Sequence, residues 1–462
     1  MSTNKVTRRR FLAASTASAA ALASATAASH GAMNPGTGGK NSGKLAVLGG
    51  DPVRKGGLSC KWPVWGQKDE EMTLASLRSG TWSRSSMVSA FEEKYAKMMG
   101  AKRCIGTNSG THALYTALAA LDIGGGDEVI TTPYTFVATI QAILLQDALP
   151  VFVDTDPDTF MINPDKIEEK ITPHTRAILP VHLEGEVCHM DKIKAIAEKH
   201  NLVIVEDACQ GHMGEWKGKK TGTLGDLGCF SFQNSKDITC GEGGAILGDD
   251  DEVMDRCFSF HNFGRPCGSV DGWGYPILGY KARMAEYQAS ILLSALDRVE
   301  AQHKRMTDNH KYLVSKLEQI PGIVPRKSYP ETTAIGFYTF SFRYKKEHFG
   351  GASRAQFLKA LRGEGVHFGA SGGSNCQHNH AINKSDGYLE RTLTGKSFSK
   401  IYSKERLDRY RQMSECPDND QLFTEYVGGG GKQIFMNTKK DMDEIYSAIL
   451  KVYENRDQLA SL

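Results

Sequence analysis

The sequence lacks any cysteine pattern of a metal or redox module: its ten cysteines run from Cys60 to Cys416 with no CxxC pair and no repeated spacing. Disulfide frameworks belong to short secreted chains, so in 462 residues most of these thiols are expected to be free. Cys209, Cys229 and Cys240 sit in apolar or Gly-rich stretches, where a small buried side chain is the simplest reading. Charge of one sign is equally scarce. A formal charge of +3 gives no reason to expect nucleic acid or an anionic membrane as partner. No segment beyond Ala28 has the length of a transmembrane helix, and there is no internal repeat. The Gly-rich stretch Tyr426–Lys432 lacks the spacing and the Ser/Thr of a phosphate-binding P-loop and reads as a flexible turn before a strand at Gln433–Met436. The acidic run Asp249–Glu252 lacks the alternation of a calcium loop and reads as a solvated turn. Cys376, His378 and His380 have no nearby carboxylates, and no metal site is expected there.

What is present begins with an address. Thr7-Arg8-Arg9-Arg10-Phe11-Leu12, an Ala/Ser-rich run to Ala28 and the small-residue end Ala25-Thr26-Ala27 describe a bacterial export signal that resembles the twin-arginine type. The expectation is a periplasmic protein, exported already folded, or one anchored by an uncleaved signal. Residues 1–33 are read as signal and linker.

From Ala101 to Leu247, short apolar runs (Asp127–Thr131, Leu149–Val153, Ala177–Val181, Leu202–Val205) alternate with helical patterns (His112–Leu121, Pro164–Lys170, Met190–His200). Such alternation predicts an α/β fold with a mainly parallel sheet flanked by helices. Cys229–Phe232 and Gly244–Leu247 would add two strands around a polar loop, and one long helix is expected from Ala285 towards Ile320. A smaller C-terminal α/β unit would follow, with a strand at Phe337–Tyr344 and helices at Ser353–Glu364 and Lys440–Glu454. The boundaries predicted are 45–297 for the large domain with its N-terminal arm and 298–462 for the smaller one.

Three segments carry the chemistry. Asn108-Ser109-Gly110-Thr111-His112 opens a helix, where glycine lets a phosphate approach unpaired N–H groups, although a capped helix alone would use the same residues. Val205-Glu206-Asp207 ends a buried strand, the place where ligands bind in open α/β sheets; Asp207 there suits a protonated ring nitrogen or a helix cap. Ser231-Phe232-Gln233-Asn234-Ser235-Lys236, followed by Gly241-Glu242-Gly243-Gly244, puts one lysine on a tight loop after a strand, able to approach a carbonyl.

In this order and with these separations, the segments resemble the sugar aminotransferases of the DegT/StrS type, which are pyridoxal 5'-phosphate (PLP) enzymes of fold type I, the aspartate-aminotransferase-like fold. The similarity continues through Pro133–Thr139, Pro150–Asp154, Val181-His182-Leu183 and His261–Arg265, across most of Leu45 to Glu454. It implies Lys236 as the Schiff-base lysine, Asp207 on the pyridine nitrogen, Gln210 beside the phenolic oxygen and Phe136 stacked on the ring. It places Ser231 with the Gly110–Thr111 backbone on the phosphate. It also implies a homodimer in which the partner subunit adds a phosphate contact; here Lys281 stands where Asn is common. Gly49-Gly50-Asp51-Pro52, Trp62–Trp65 and Ser79-Gly80-Thr81-Trp82 resemble the branch acting on cyclitol and aminoshikimate rings, which implies glutamine or glutamate as donor and a keto-sugar or keto-cyclitol as acceptor. Two departures, Glu184 and Glu186, stand where the family carries Tyr/Phe and Gln; near a site they would repel an acidic substrate or receive a basic one, and on a loop they would be solvated. Alternatives are a sugar dehydratase, whose branch has histidine in place of Lys236, and an exported scaffold without turnover.

Overall fold

The computed structural model describes residues 43–58, 60–370 and 387–462. The export-signal segment and the Cys376–His380 stretch lie outside these residues.

Thirteen strands are formed among the described residues: β1 (Arg103–Thr107), β2 (Glu128–Thr131), β3 (Leu149–Phe152), β4 (Thr175–Ile178), β5 (Val203–Asp207), β6 (Glu215–Trp216), β7 (Lys219–Lys220), β8 (Leu227–Ser231), β9 (Gly244–Gly248), β10 (Ile323–Pro325), β11 (Thr332–Ala334), β12 (Thr339–Tyr344) and β13 (Tyr426–Gly430). Seven of them make the main sheet, in the order β1-β9-β8-β5-β4-β2-β3. Every pair from β3 to β8 is parallel, while β9 runs antiparallel to both β8 and β1. The sheet is thus parallel except for β9. Helices cover both faces because strands so apolar must be buried on each side: β2, β3, β8 and β9 are buried throughout.

Two hydrophobic clusters flank this sheet. One gathers Leu114, Val129, Ile140, Val151, Ile178 and Val205; the other packs Phe91 and Tyr95 of helix Ser86–Met99 on Phe230 and Phe232. A third lies around the antiparallel sheet β10-β12-β13, with Leu313, Phe342, Phe357 and Ile449 at its centre. Leu45 of the N-terminal arm belongs to this third cluster. The arm is held there by buried Glu364, which accepts from the N–H groups of Ala46 (2.8 Å) and Val53 (3.1 Å) and pairs with Lys451 (2.8 Å).

Several expectations are corrected. The long helix is two, Glu286–Leu296 and Val299–Leu317, because Arg298 is anchored sideways to Val64 O (3.0 Å) and Asp69 (2.9 Å). Pro164–Lys170 forms two 3-10 turns rather than an α-helix. The Gly-rich Tyr426–Gly430 is strand β13, paired along β12, and Gln433–Phe435 is helical; the glycines there serve close packing, since a Cβ on Gly429 would lie 2.9 Å from the Phe368 ring. Asp249–Glu252 is solvated as expected, but it opens a helix instead of forming a turn alone: Asp250 caps helix Asp251–His261 by accepting from Val253 N (3.0 Å). The chain from Tyr388 to Glu425 returns to the main sheet, where Leu393, Tyr402, Tyr410 and Leu422 join the first cluster. Among the described residues no helix is long and apolar enough to cross a membrane.

Candidate functional site

The ends of β1, β5 and β8 meet at one cavity of about 410 Å³. At the end of β1 the chain turns at Asn108, and Ser109 caps helix Gly110–Ala120 by accepting from His112 N (3.1 Å). The N–H groups of Gly110 and Thr111 have no acceptor among the described residues, as the first positions of a helix must. Gly110 has no space for a side chain: a Cβ would sit 2.6 Å from Ser231 Cβ and 2.8 Å from Cys209 Sγ. The helix start is therefore pressed against the end of β8, and its free N–H groups share the cavity wall with Ser231.

Asp207 closes β5 and is 5% exposed. Its Oδ2 accepts from Thr139 Oγ1 (2.7 Å) and its Oδ1 from Cys209 N (3.1 Å), yet no cation pairs with it among the described residues. The neighbouring Glu206 points the other way and is fully structural: it accepts from Gly222, Leu224 and Gly225 N–H groups at 2.8, 2.6 and 2.6 Å and pairs with His182 at 2.7 Å. Gln210 is held by its carbonyl, which accepts from Glu184 N (2.9 Å), so its amide nitrogen is left without a partner among the described residues.

The lysine loop is tied at its base by Phe232 N to Gly243 O (2.8 Å) and Asn234 N to Gly241 O (2.8 Å). Gly241 takes a φ of +93°, and Gly244 lets β9 pass the Ser109 carbonyl, which a Cβ would meet at 2.4 Å. Gln233 Oε1 accepts from Ser235 N (2.8 Å) and Oγ (2.7 Å), and Trp62 Nε1 donates to Lys236 O (3.0 Å). The loop tied in this way delivers Lys236, 8% exposed, into the cavity. Its Nζ makes no hydrogen bond or ion pair among the described residues; it lies 4.2 Å from the centre of the Tyr338 ring. Beneath the wall, His212 donates from Nε2 to Ser231 O (2.8 Å), and burial pushes its pKa down to about 3, so it is a neutral support. Burial likewise holds the Cys209 thiol protonated.

Gly110, Thr111, Phe136, Asp207, Gln210, Ser231 and Lys236 all line this cavity. Phe136 is 45% exposed at the start of helix Val137–Leu144. Lys281 does not line it; it is exposed on the stretch between Gly279 and Met284. Sequence reasoning missed Thr139, Glu242 and Tyr338. Thr139 was within reach, inside Pro133–Thr139, but Tyr338 comes from the chain just before β12, far along the sequence from the lysine loop, and no local pattern marks it.

Glu184 and Glu186 lie neither on the surface nor on the cavity. Both are buried: Glu184 pairs with Arg326 (2.8 Å) and accepts from Tyr134 (3.0 Å), Tyr426 (2.8 Å) and Ser341, while Glu186 accepts from Ser328 (2.8 Å). Burial pushes the Glu186 carboxyl up, with Arg326 opposing, and holds the Tyr426 phenol protonated as a donor.

A buried amine without an anion and a buried carboxylate without a cation, in one cavity beside free helix N–H groups, fit a group that carries an electrophilic carbonyl, a basic ring nitrogen and a phosphate. PLP is such a group. The model of the DegT/DnrJ/EryC1/StrS aminotransferase family matches residues 64–400. The chain is 38% identical over 332 residues to a putative L-glutamine:3-amino-2,3-dideoxy-scyllo-inosose aminotransferase of Micromonospora echinospora, covering 70% of this chain and 78% of that one. It is 35% identical over 320 residues to the spore coat polysaccharide biosynthesis protein SpsC of Bacillus subtilis, covering 66% and 82%. Among solved structures it is similar to 3-amino-5-hydroxybenzoic acid synthase (TM-score 0.72, 26% identity, 87% of this chain and 99% of that one). It is also similar to an aminotransferase from Psychrobacter cryohalolentis (TM-score 0.73, 27% identity, 86% and 99%). With its parallel sheet, its lysine loop and its matched span, the chain belongs to the DegT/DnrJ/EryC1/StrS aminotransferase family.

Proposed function

We propose that the protein moves an amino group from glutamine or glutamate to the ketone of a keto-sugar or keto-cyclitol, using PLP in the cavity around Lys236. The observation that carries this reading is the pair of buried, uncompensated groups, Lys236 and Asp207, on the walls of one cavity. When bound, PLP supplies the electron sink that lets a C–H bond beside the donor nitrogen break. The protein's own residues do the rest. Gly110 N, Thr111 N and Ser231 hold the phosphate. Asp207, kept in place by Thr139 and Cys209 N, keeps a proton on the ring nitrogen. Gln210 offers its amide to the phenolic oxygen, and Phe136 covers the ring. Lys236 Nζ is the nucleophile and then the base that carries the proton, a task that suits its tied loop and its place on the cavity wall.

The same reading makes the active protein a homodimer. Trp273, Tyr275 and Leu278 are 99%, 63% and 89% exposed on the segment leading to Lys281, an apolar surface that a second copy would cover while bringing Lys281 to its neighbour's phosphate. The twin-arginine-like start supports export; replacing Arg8 and Arg9 with Lys and fractionating cells tests it, and an unchanged periplasmic pool would refute it.

The deciding experiment is an absorbance spectrum of the purified protein with PLP, before and after L-glutamine or L-glutamate. A visible band that either donor bleaches, and that Lys236→Ala never shows, is expected. No band after incubation with PLP overturns the reading, and kinetics requiring a ternary complex overturn the two-stage transfer.

A further inference from the structure

After Ile178 at the end of β4, the chain reaches Leu183–Gly185, where Glu184 adopts a left-handed backbone (φ 59°, ψ 7°). A non-glycine residue holds that conformation only when its surroundings impose it. Here they do, from two sides. The Glu184 carboxylate is fully buried and accepts from Tyr426 in β13 (2.8 Å), Ser341 in β12 and Arg326 beside the end of β10 (2.8 Å), so it gathers all three strands of the C-terminal sheet. Its other contact, Tyr134 (3.0 Å), comes from the turn after β2 of the main sheet. The next residue is equally constrained: Gly185 O accepts from Gly336 N (2.7 Å), and a Cβ on Gly185 would lie 2.3 Å from the Gly336 carbonyl. The main-chain N–H thus fixed donates to Gln210 Oε1 (2.9 Å), and this bond decides which end of the Gln210 amide faces the cavity.

We propose that Glu184 is a positioning residue for the cofactor: its carboxylate locks the left-handed turn to the C-terminal sheet, and its N–H aims the Gln210 amide nitrogen into the cavity. The inference deepens the functional reading above and rests on it. A carboxylate in place of the family's aromatic residue is then neither a selector of substrate charge nor a surface ornament. It is the joint through which the C-terminal unit sets a contact on the PLP phenolic oxygen.

The test compares Glu184→Gln, Gln210→Ala and the double variant with wild type, all saturated with PLP and then titrated from pH 6 to 10 while the visible band is recorded. Affinity for PLP is measured in parallel by equilibrium dialysis. If Glu184 acts through Gln210, each single variant weakens PLP by about tenfold and moves the midpoint of the spectral titration in the same direction, and the double variant adds nothing. A purely structural Glu184 would lower thermal stability but leave the spectral midpoint at the wild-type value, or would give effects that add to those of Gln210→Ala; either result overturns the inference. If Glu184→Gln cannot be purified, Tyr426→Phe, which removes one donor from the same carboxylate, takes its place with the same expectations. A wild type that takes up no PLP overturns this inference together with the functional reading, whereas additive variants of a PLP-binding wild type overturn the inference alone.

Discussion

Replacing Gly110 with alanine tests the phosphate end of the cavity with the least chemistry changed. The new Cβ would lie 2.6 Å from Ser231 Cβ and 2.8 Å from Cys209 Sγ, where ordinary contact begins near 3.4 Å. The Cys209 thiol could turn about its χ1, but Ser231 Cβ cannot move aside, because it is bonded directly to the buried main chain at the end of β8. The helix start must therefore retreat by ~0.8 Å, enough to stretch a hydrogen bond of normal length past its useful range. Gly110 N and Thr111 N move with it. Losing one to two charge-assisted bonds to phosphate costs about 3 kcal/mol, or roughly 150-fold in PLP affinity. Overpacking should also reduce folding stability by about 1–3 kcal/mol. The assay is equilibrium dialysis of apo protein against PLP, with urea unfolding alongside. Gly124→Ala is the control, since its Cβ would meet nothing within 4 Å and its affinity should match wild type. Gly110→Ala binding PLP within threefold of wild type would refute the argument that these N–H groups hold the phosphate.

Three further outcomes are expected. Glu206→Ala strands three main-chain N–H groups and His182 in the core, and should destabilise the fold by about 3–5 kcal/mol in urea unfolding of the apo protein; an unchanged midpoint would show that the carboxylate is dispensable. His310 lies among Phe337, Phe340 and Phe435, and burial, with Arg326 and Lys311 adding to it, pushes its pKa down to about 3. Because its folded pKa lies below the ordinary 6.5, the unfolded chain binds the extra proton, so this contribution is complete above pH 6.5 and is lost as the pH falls towards 3. His310→Leu should therefore flatten the loss of stability between pH 7 and pH 5 by up to about 1.4 kcal/mol per pH unit, and parallel stability curves would contradict the assignment. Trp273→Ala combined with Leu278→Ala should convert a dimer to monomer in light scattering; a monomeric wild type would remove the shared-site reading of Lys281.

The sequence alone determined the sheet and the lysine loop, because both are written in short-range patterns. Short apolar runs rich in β-branched residues and bounded by turn residues favour strands covered on both faces, and Ser231 to Gly244 carries its own turn chemistry of a strand, a tied loop and glycines where the backbone needs them. Asp207 was legible as the end of one such strand, whereas Gln210 was named only through the family resemblance. What the sequence could not express was contact at long range. Tyr426–Gly430 looks like a loop by composition and becomes a strand only because β12 offers it a partner and Phe368 leaves no space for side chains. The break at Arg298 depends on Val64 and Asp69, more than two hundred residues away. Glu184 and Glu186, charged residues that water would normally claim, are buried because Arg326, Ser328, Ser341 and two tyrosines converge on them from distant segments. Local propensity names the elements; which buried charge is compensated, and which ring stands over Lys236, is settled only when the chain folds back on itself.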